Sequence, residues 1–130
     1  MSKSDYLEDE ILDHILGQAA RNFTSPANLY LALGTAAADN SFTEVETPGT
    51  NGYSRQAITF AAASGGSAAS SNSQTFGPAT SDWASVSKFA IYDASTLGNV
   101  LYYGDLTTAR DAAVDDSIEF ATGAVTVSED

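Results

Sequence analysis

Few residues in this chain could do chemistry. The sole histidine, His14, follows Glu10 by one helical turn, so the two could hold a metal ion between them. No third ligand stands at a matching spacing, and a histidine beside acids on a helix surface is an ordinary sight. Asp115, Asp116 and Glu119 offer oxygen ligands of the kind Ca²⁺ takes, but their spacing fits no ligand loop and reads as a solvated turn. There is no cysteine, which excludes disulfides, thiolate metal sites and a cysteine nucleophile. G-x-S-x-G, Walker and G-x-G-x-x-G patterns are all missing. With 17 acids in the chain, a glycosidase-like carboxylate pair would arise by chance, so none is assigned. The expectation is a protein with no enzyme activity, no cofactor and no metal. Asn22-Phe23-Thr24 forms a glycosylation sequon that matters only in an exported chain.

Binding remains. Six Tyr, six Phe and one Trp are enough to line a sugar or peptide groove, and Tyr30, Trp83, Tyr102 and Tyr103 are the candidates for one. Trp83, between Asp82 and Ser85 at a strand start, is balanced between core and surface contact. The net charge of −12 would be repelled by phosphate backbones and anionic lipid, so neither nucleic acid nor a membrane is an expected partner. The start, MSKSDYLEDE, lacks the basic and apolar regions of a secretory signal, and no run is long enough for a membrane helix, so a soluble, unexported protein is expected.

These groups must be held by mostly extended elements. Ser4 can cap a helix over residues 4–17, with Asp5 and Glu8 near its positive end and Gly17 stopping it. Tyr6, Leu7, Ile11, Leu12, Ile15 and Leu16 read as one apolar stripe, to be packed either on the chain's own domain or on a neighbouring subunit. Residues 28–35, NLYLALGT, alternate with period two and form the expected central strand, led in by Pro26. Residues 36–52 read as a long surface connection and 53–62 as a second strand. The small-residue run 63–73 reads as an exposed, flexible hairpin tip.

Residues 74–78 read as a short strand ended by Gly77-Pro78, and 83–92 as a strand with Val86, Phe89 and Ile91 inward. A turn at 93–99 leads to a strand at 100–106. Phe89/Tyr92 and Tyr102/Tyr103 are expected to face each other across that hairpin. A single helical turn is expected within 107–114, then a terminal hairpin of 117–121 and 124–128. The fold class is mainly β: an antiparallel sandwich, jelly-roll or immunoglobulin-like, of six or seven strands with an N-terminal amphipathic helix. Residues 1–22 form the helix and linker, and 23–130 the sandwich domain. Tyr6, Leu7, Ile11, Phe42 and Trp83 are the candidate interface residues.

In order, LEDEILDHILG (7–17), NLYLALGTA (28–36), GYSRQAITF (52–60), FAIYDASTLGNVLYYGDLT (89–107) and SIEFATGAVTV (117–127) resemble a family of small tailed-phage virion proteins, often labelled tail fibre or structural protein. The resemblance spans most of the chain and contains no catalytic motif. It implies one compact sandwich behind a leading helix, displayed in many copies on the virion, with no enzyme activity.

Neither a long repeat nor a coiled coil of the kind a fibre usually needs is present. A compact acidic domain suits a decoration or cement protein on the capsid surface. Its expected partners are the major capsid protein and copies of itself, and binding only the assembled shell would stabilise it. The alternative is a tail- or fibre-associated protein with a glycan- or receptor-binding surface.

Overall fold

The structure is a computed structural model that describes residues 1–17 and 23–129. The expected linker beyond Gly17 and the Asn22 sequon fall on residues 18–22, outside the described residues. In chain order the elements are β1 (Ser2–Lys3), α1 (Asp5–Leu16), β2 (Leu29–Ala38), β3 (Ser41–Glu44), β4 (Gln56–Ile58), β5 (Ser67–Ala69), β6 (Gln74–Phe76), β7 (Val86–Tyr92), β8 (Val100–Arg110), β9 (Ile118–Phe120) and β10 (Thr126–Ser128).

The alternating stretch around Leu31 is the central strand. β2 pairs antiparallel with β7 along one edge, and along the other with β4 and then β3. The full sheet runs β1-β8-β7-β2-β3, with β4 beside β3 on the outer edge of β2. Two separate ribbons, β5 with β10 and β6 with β9, supply a second layer. Leu31, Leu33, Val86 and Ile91 from the large sheet share one buried cluster with Phe76, Ile118, Phe120 and Val125, most of them on the ribbons. The fold is therefore mainly antiparallel β, two-layered, with one N-terminal helix.

The opposite face of the large sheet holds a smaller cluster of Ala32, Ala90, Tyr92 and Val100, flanked by Tyr30, Phe42 and Tyr103. Small residues here let aromatic rings lie flat over the strands. Gly34 is such a place: a Cβ on it would stand 2.3 Å from the Thr43 carbonyl oxygen and 2.5 Å from the Phe42 ring. Any side chain would push Phe42 off the sheet.

The helix starts as its sequence demands. The Ser4 hydroxyl accepts from the Leu7 N–H at 3.2 Å, and Gly17 closes the far end in a left-handed conformation. Ser4 is also fully buried: its N–H donates to the Leu101 carbonyl at 2.9 Å and its hydroxyl to the Val100 carbonyl. One serine thus caps the helix and fastens it to β8. The expected single stripe divides. Leu7 is buried and Tyr6 and Ile11 are half-buried, whereas Leu12, Ile15 and Leu16 stay exposed: Leu12 and Leu16 lie more than a quarter-turn around the helix from Leu7 and Ile11, and Ile15, on their side of the helix, lies one turn further toward its end.

Several expectations for the connections are corrected. Within 36–52, β2 runs on through Ala38 and β3 returns from Ser41, leaving Asp39-Asn40 as a tight turn. The rest is tied by its own backbone, with Gly49 N–H to the Tyr53 carbonyl at 2.8 Å and Tyr53 N–H to the Thr50 carbonyl at 2.9 Å. The second strand is short, only Gln56–Ile58. The tip at 63–73 is laced into the second layer: β5 pairs with β10, and Ser70 is buried, its hydroxyl accepting from Gly123 and Val125 N–H at 3.1 and 3.3 Å. Small side chains permit this close backbone approach.

No helical turn forms after residue 106, since β8 extends to Arg110. The terminal strands do not pair with each other; β9 joins β6 and β10 joins β5. Across the β7–β8 hairpin the register sets Phe89 opposite Gly104, Ala90 opposite Tyr103 and Ile91 opposite Tyr102, so the expected aromatic pairs do not meet.

One ion pair joins the two clusters at the sheet edge. The Arg55 side chain is 4 % exposed and donates through Nη2 to Glu44 Oε1 at 2.6 Å and through Nε to the same oxygen at 3.1 Å. Its Nη1 donates to the Ala94 and Leu97 carbonyls at 2.8 and 2.7 Å, and its guanidinium lies 3.5 Å from the centre of the Tyr92 ring. Glu44 Oε2 accepts from the Tyr53 hydroxyl at 2.7 Å. Burial, then the Glu44 acceptor, pushes the Tyr53 phenol far above its ordinary value.

Arg55→Ala would leave Glu44 largely buried without its cation. The expected loss is about 3 kcal/mol or more of unfolding free energy, read by urea denaturation, and Glu44→Gln, which keeps one acceptor, should lose less. The raised Tyr53 phenol gives a second expectation. In the unfolded chain tyrosine ionises near pH 10, while in the folded protein it stays neutral. The stability it contributes is therefore complete below about pH 10 and drains away as pH rises further. Tyr53→Phe should flatten the alkaline part of the stability profile while lowering stability at neutral pH, where Glu44 loses a donor.

Candidate binding surfaces

The residues expected to carry function do not converge. Trp83 is 5 % exposed; its indole N–H donates to the Asn51 carbonyl at 2.9 Å and its ring meets Tyr53 edge-on at 5.7 Å. Leu7 is 4 % exposed against β8. Both side chains of these two interface candidates are taken up by the domain's own packing. Phe42 is half-buried over Gly34 and meets Tyr92 edge-on at 6.2 Å. Tyr6 and Ile11 are half-buried, and the Tyr6 N–H donates to Asn40 Oδ1 at 2.8 Å.

The tyrosines are divided between the faces. Tyr30 and Tyr103 flank the smaller cluster, the latter with its hydroxyl on Asp39 at 3.2 Å. Tyr102 packs against the larger cluster and donates to Glu129 Oε1 at 2.7 Å. Lys3 also binds Glu129, at 2.8 Å, so this carboxylate ties both ends of the chain to β8. Hydrogen bonding to Lys3 holds the Glu129 carboxyl below its usual range, and burial pushes the Tyr102 phenol up.

The acidic cluster is a turn: Asp116 Oδ2 accepts from the Ala113 N–H at 3.1 Å, and Asp115 has a positive φ. His14 is exposed at the end of α1. Among the described residues no three His, Asp or Glu side chains gather as a metal site. No helix among them is long and apolar enough to cross a membrane.

Two clefts among the described residues are large enough to matter for binding. One, of about 430 Å³, lies beside the helix and includes Tyr6, Pro26, Tyr30 and Asp93. The other, of about 400 Å³, opens where β8 leaves the second layer, between the two sheets. Its apolar floor includes Leu31, Phe89, Leu106 and Phe120; its rim carries Thr107, Thr108, Arg110, Thr126 and Ser128. Arg110 is exposed, sits 5.1 Å from the Phe120 ring centre and donates to the Glu119 carbonyl at 3.1 Å. An aromatic and aliphatic floor under a rim of hydroxyls, one guanidinium and the Asp105 carboxylate is suited to a sugar ring, which has apolar C–H faces and polar edges.

Sequence reasoning passed over both Arg55 and this groove. Arg55 is one arginine just ahead of β4, and Glu44, Ala94 and Leu97 come to it only through the fold. The groove residues are polar side chains of β8 and β10, strands with no local link.

No curated protein sequence matches the chain. The profile of the family described as "Podophage GP4 fiber I protein gp80" matches residues 2–128, nearly the whole described domain. That description is in keeping with the leading helix and the β-rich body, and it favours a fibre over the capsid surface. The chain belongs to this podophage fibre protein family and is a structural protein of a tailed-phage virion.

Proposed function

We propose that the protein is a non-catalytic, fibre-associated module of the virion that contacts the host surface through a glycan seated in the groove between β8 and β10. The observation that carries the reading is the family match across residues 2–128, because it covers the folded body itself and not an attached segment. The groove supports the second half of the reading. Phe89, half-buried on the groove floor, offers apolar surface for a sugar ring, with Phe120 buried beneath the Arg110 guanidinium beside it, and Thr108 and Arg110 stand where ring hydroxyls would need partners. At a net charge of −12 the protein favours a neutral glycan over an anionic one. The capsid-decoration reading keeps the same compact domain but has no counterpart in the family description.

Copy number separates the placements. In purified virions, quantitative mass spectrometry should find this chain at a small fraction of the major capsid protein; a ratio approaching one copy per few capsid subunits would return it to the shell. For the groove, calorimetry with neutral host-surface polysaccharide should show binding that Thr108→Val together with Arg110→Ala weakens at least about tenfold at unchanged melting temperature. Equal binding by the variant would remove the groove from the account.

A further inference from the structure

The outer face of α1 does no work inside the domain. Leu12, Ile15 and Leu16 are 53, 65 and 62 % exposed, three large aliphatic side chains within one helical turn. The other large hydrophobics exposed among the described residues, Met1, Leu97 and Val114, are scattered through the chain. Among the described residues, the hydrogen bonds that fasten the helix to the rest of the domain lie near its start, from Ser4 to β8 and from the Tyr6 N–H to Asn40, beside buried Leu7. Its last turn is left with an i, i+3, i+4 aliphatic triad facing outward, the pattern of a helix that lays an apolar face into a groove. Continuous with that triad on the same face are Asp5, Glu8 and Asp9, all exposed.

We infer that this face of α1 is the docking surface for a different protein of the particle, one that offers an apolar hollow for Leu12, Ile15 and Leu16 with lysines beside it for Asp5, Glu8 and Asp9. A second copy of this chain does not fit. Of its bases among the described residues, Lys3 is paired with Glu129, Lys88 with Asp105 and Arg55 with Glu44, while Arg110 lies against Phe120 at the opposite end of β8 from the helix anchor. Two such helices laid parallel would oppose acid to acid; laid antiparallel, they would bury carboxylates against leucines. The inference stands on the helix alone and does not depend on where in the particle the protein sits or on the glycan groove.

Carboxyl-to-amine zero-length cross-linking of intact virions, followed by mass spectrometry, tests it. Asp5, Glu8 or Asp9 should be joined to lysines of a different virion protein. Joining to Lys3 or Lys88 of another copy, or no joining from these three acids, overturns the inference. The companion variant, Leu12→Ser with Ile15→Ser and Leu16→Ser, alters only exposed side chains and should keep the parent's melting temperature and β-sheet circular dichroism. Its occupancy in assembled particles should fall at least about tenfold. Folded variant at parental occupancy overturns the inference. Should the variant prove unfolded, the cross-linking result on the unaltered protein decides.

Discussion

A buried guanidinium joins the two apolar clusters of this domain at the edge of its large sheet. Arg55 lies at the edge where β3 ends, β4 begins and the β7–β8 turn folds over, and all of its hydrogen bonds reach groups distant in sequence. Through Glu44 it engages Tyr53 in the larger cluster, and through its planar face it covers Tyr92 in the smaller one. Taking a charge out of water is costly, and the cost is offset only because the carboxylate, two carbonyls and an aromatic face replace the lost water together. Lysine, a point charge without the fork, could not make the same set of contacts.

Around that edge the chain economises on side chains. Its central strand carries leucines toward one layer and Ala32 and Gly34 toward the other, where aromatic rings cover the gap. The second layer is two short ribbons instead of a continuous sheet, and it is stitched by backbone bonds to small residues, Ser70 chief among them. A low-complexity run is thereby made structural: the absence of bulk is what lets strands far apart in the sequence approach.

The surface that results carries two distinct features. One end of the sandwich opens into a groove with an aromatic floor and a polar rim; elsewhere a helix, held near its start by Ser4, the Tyr6 N–H and Leu7, presents an apolar turn beyond an acidic one. A virion component needs both an attachment and an outward contact, and separate elements for each allow either to vary without disturbing the β framework.

What the sequence determined by itself was local. Ser4 and Gly17 bound the helix, because capping is chemistry between neighbours. The alternation of Leu29, Leu31 and Leu33 marked the central strand, and Asp93 to Asn99 marked the hairpin, since period and turn residues act over a few positions. The fold class and the phage-protein resemblance followed from those pieces in order. What only the tertiary structure decided was non-local pairing: β9 with β6 and β10 with β5, the burial of Trp83, the splitting of the helix stripe, and the meeting of Arg55 with Glu44. A backbone hydrogen bond leaves no trace in residue type, and an ion pair between residues eleven positions apart looks the same in sequence as two solvated charges, so these features came into being only when the sheets closed.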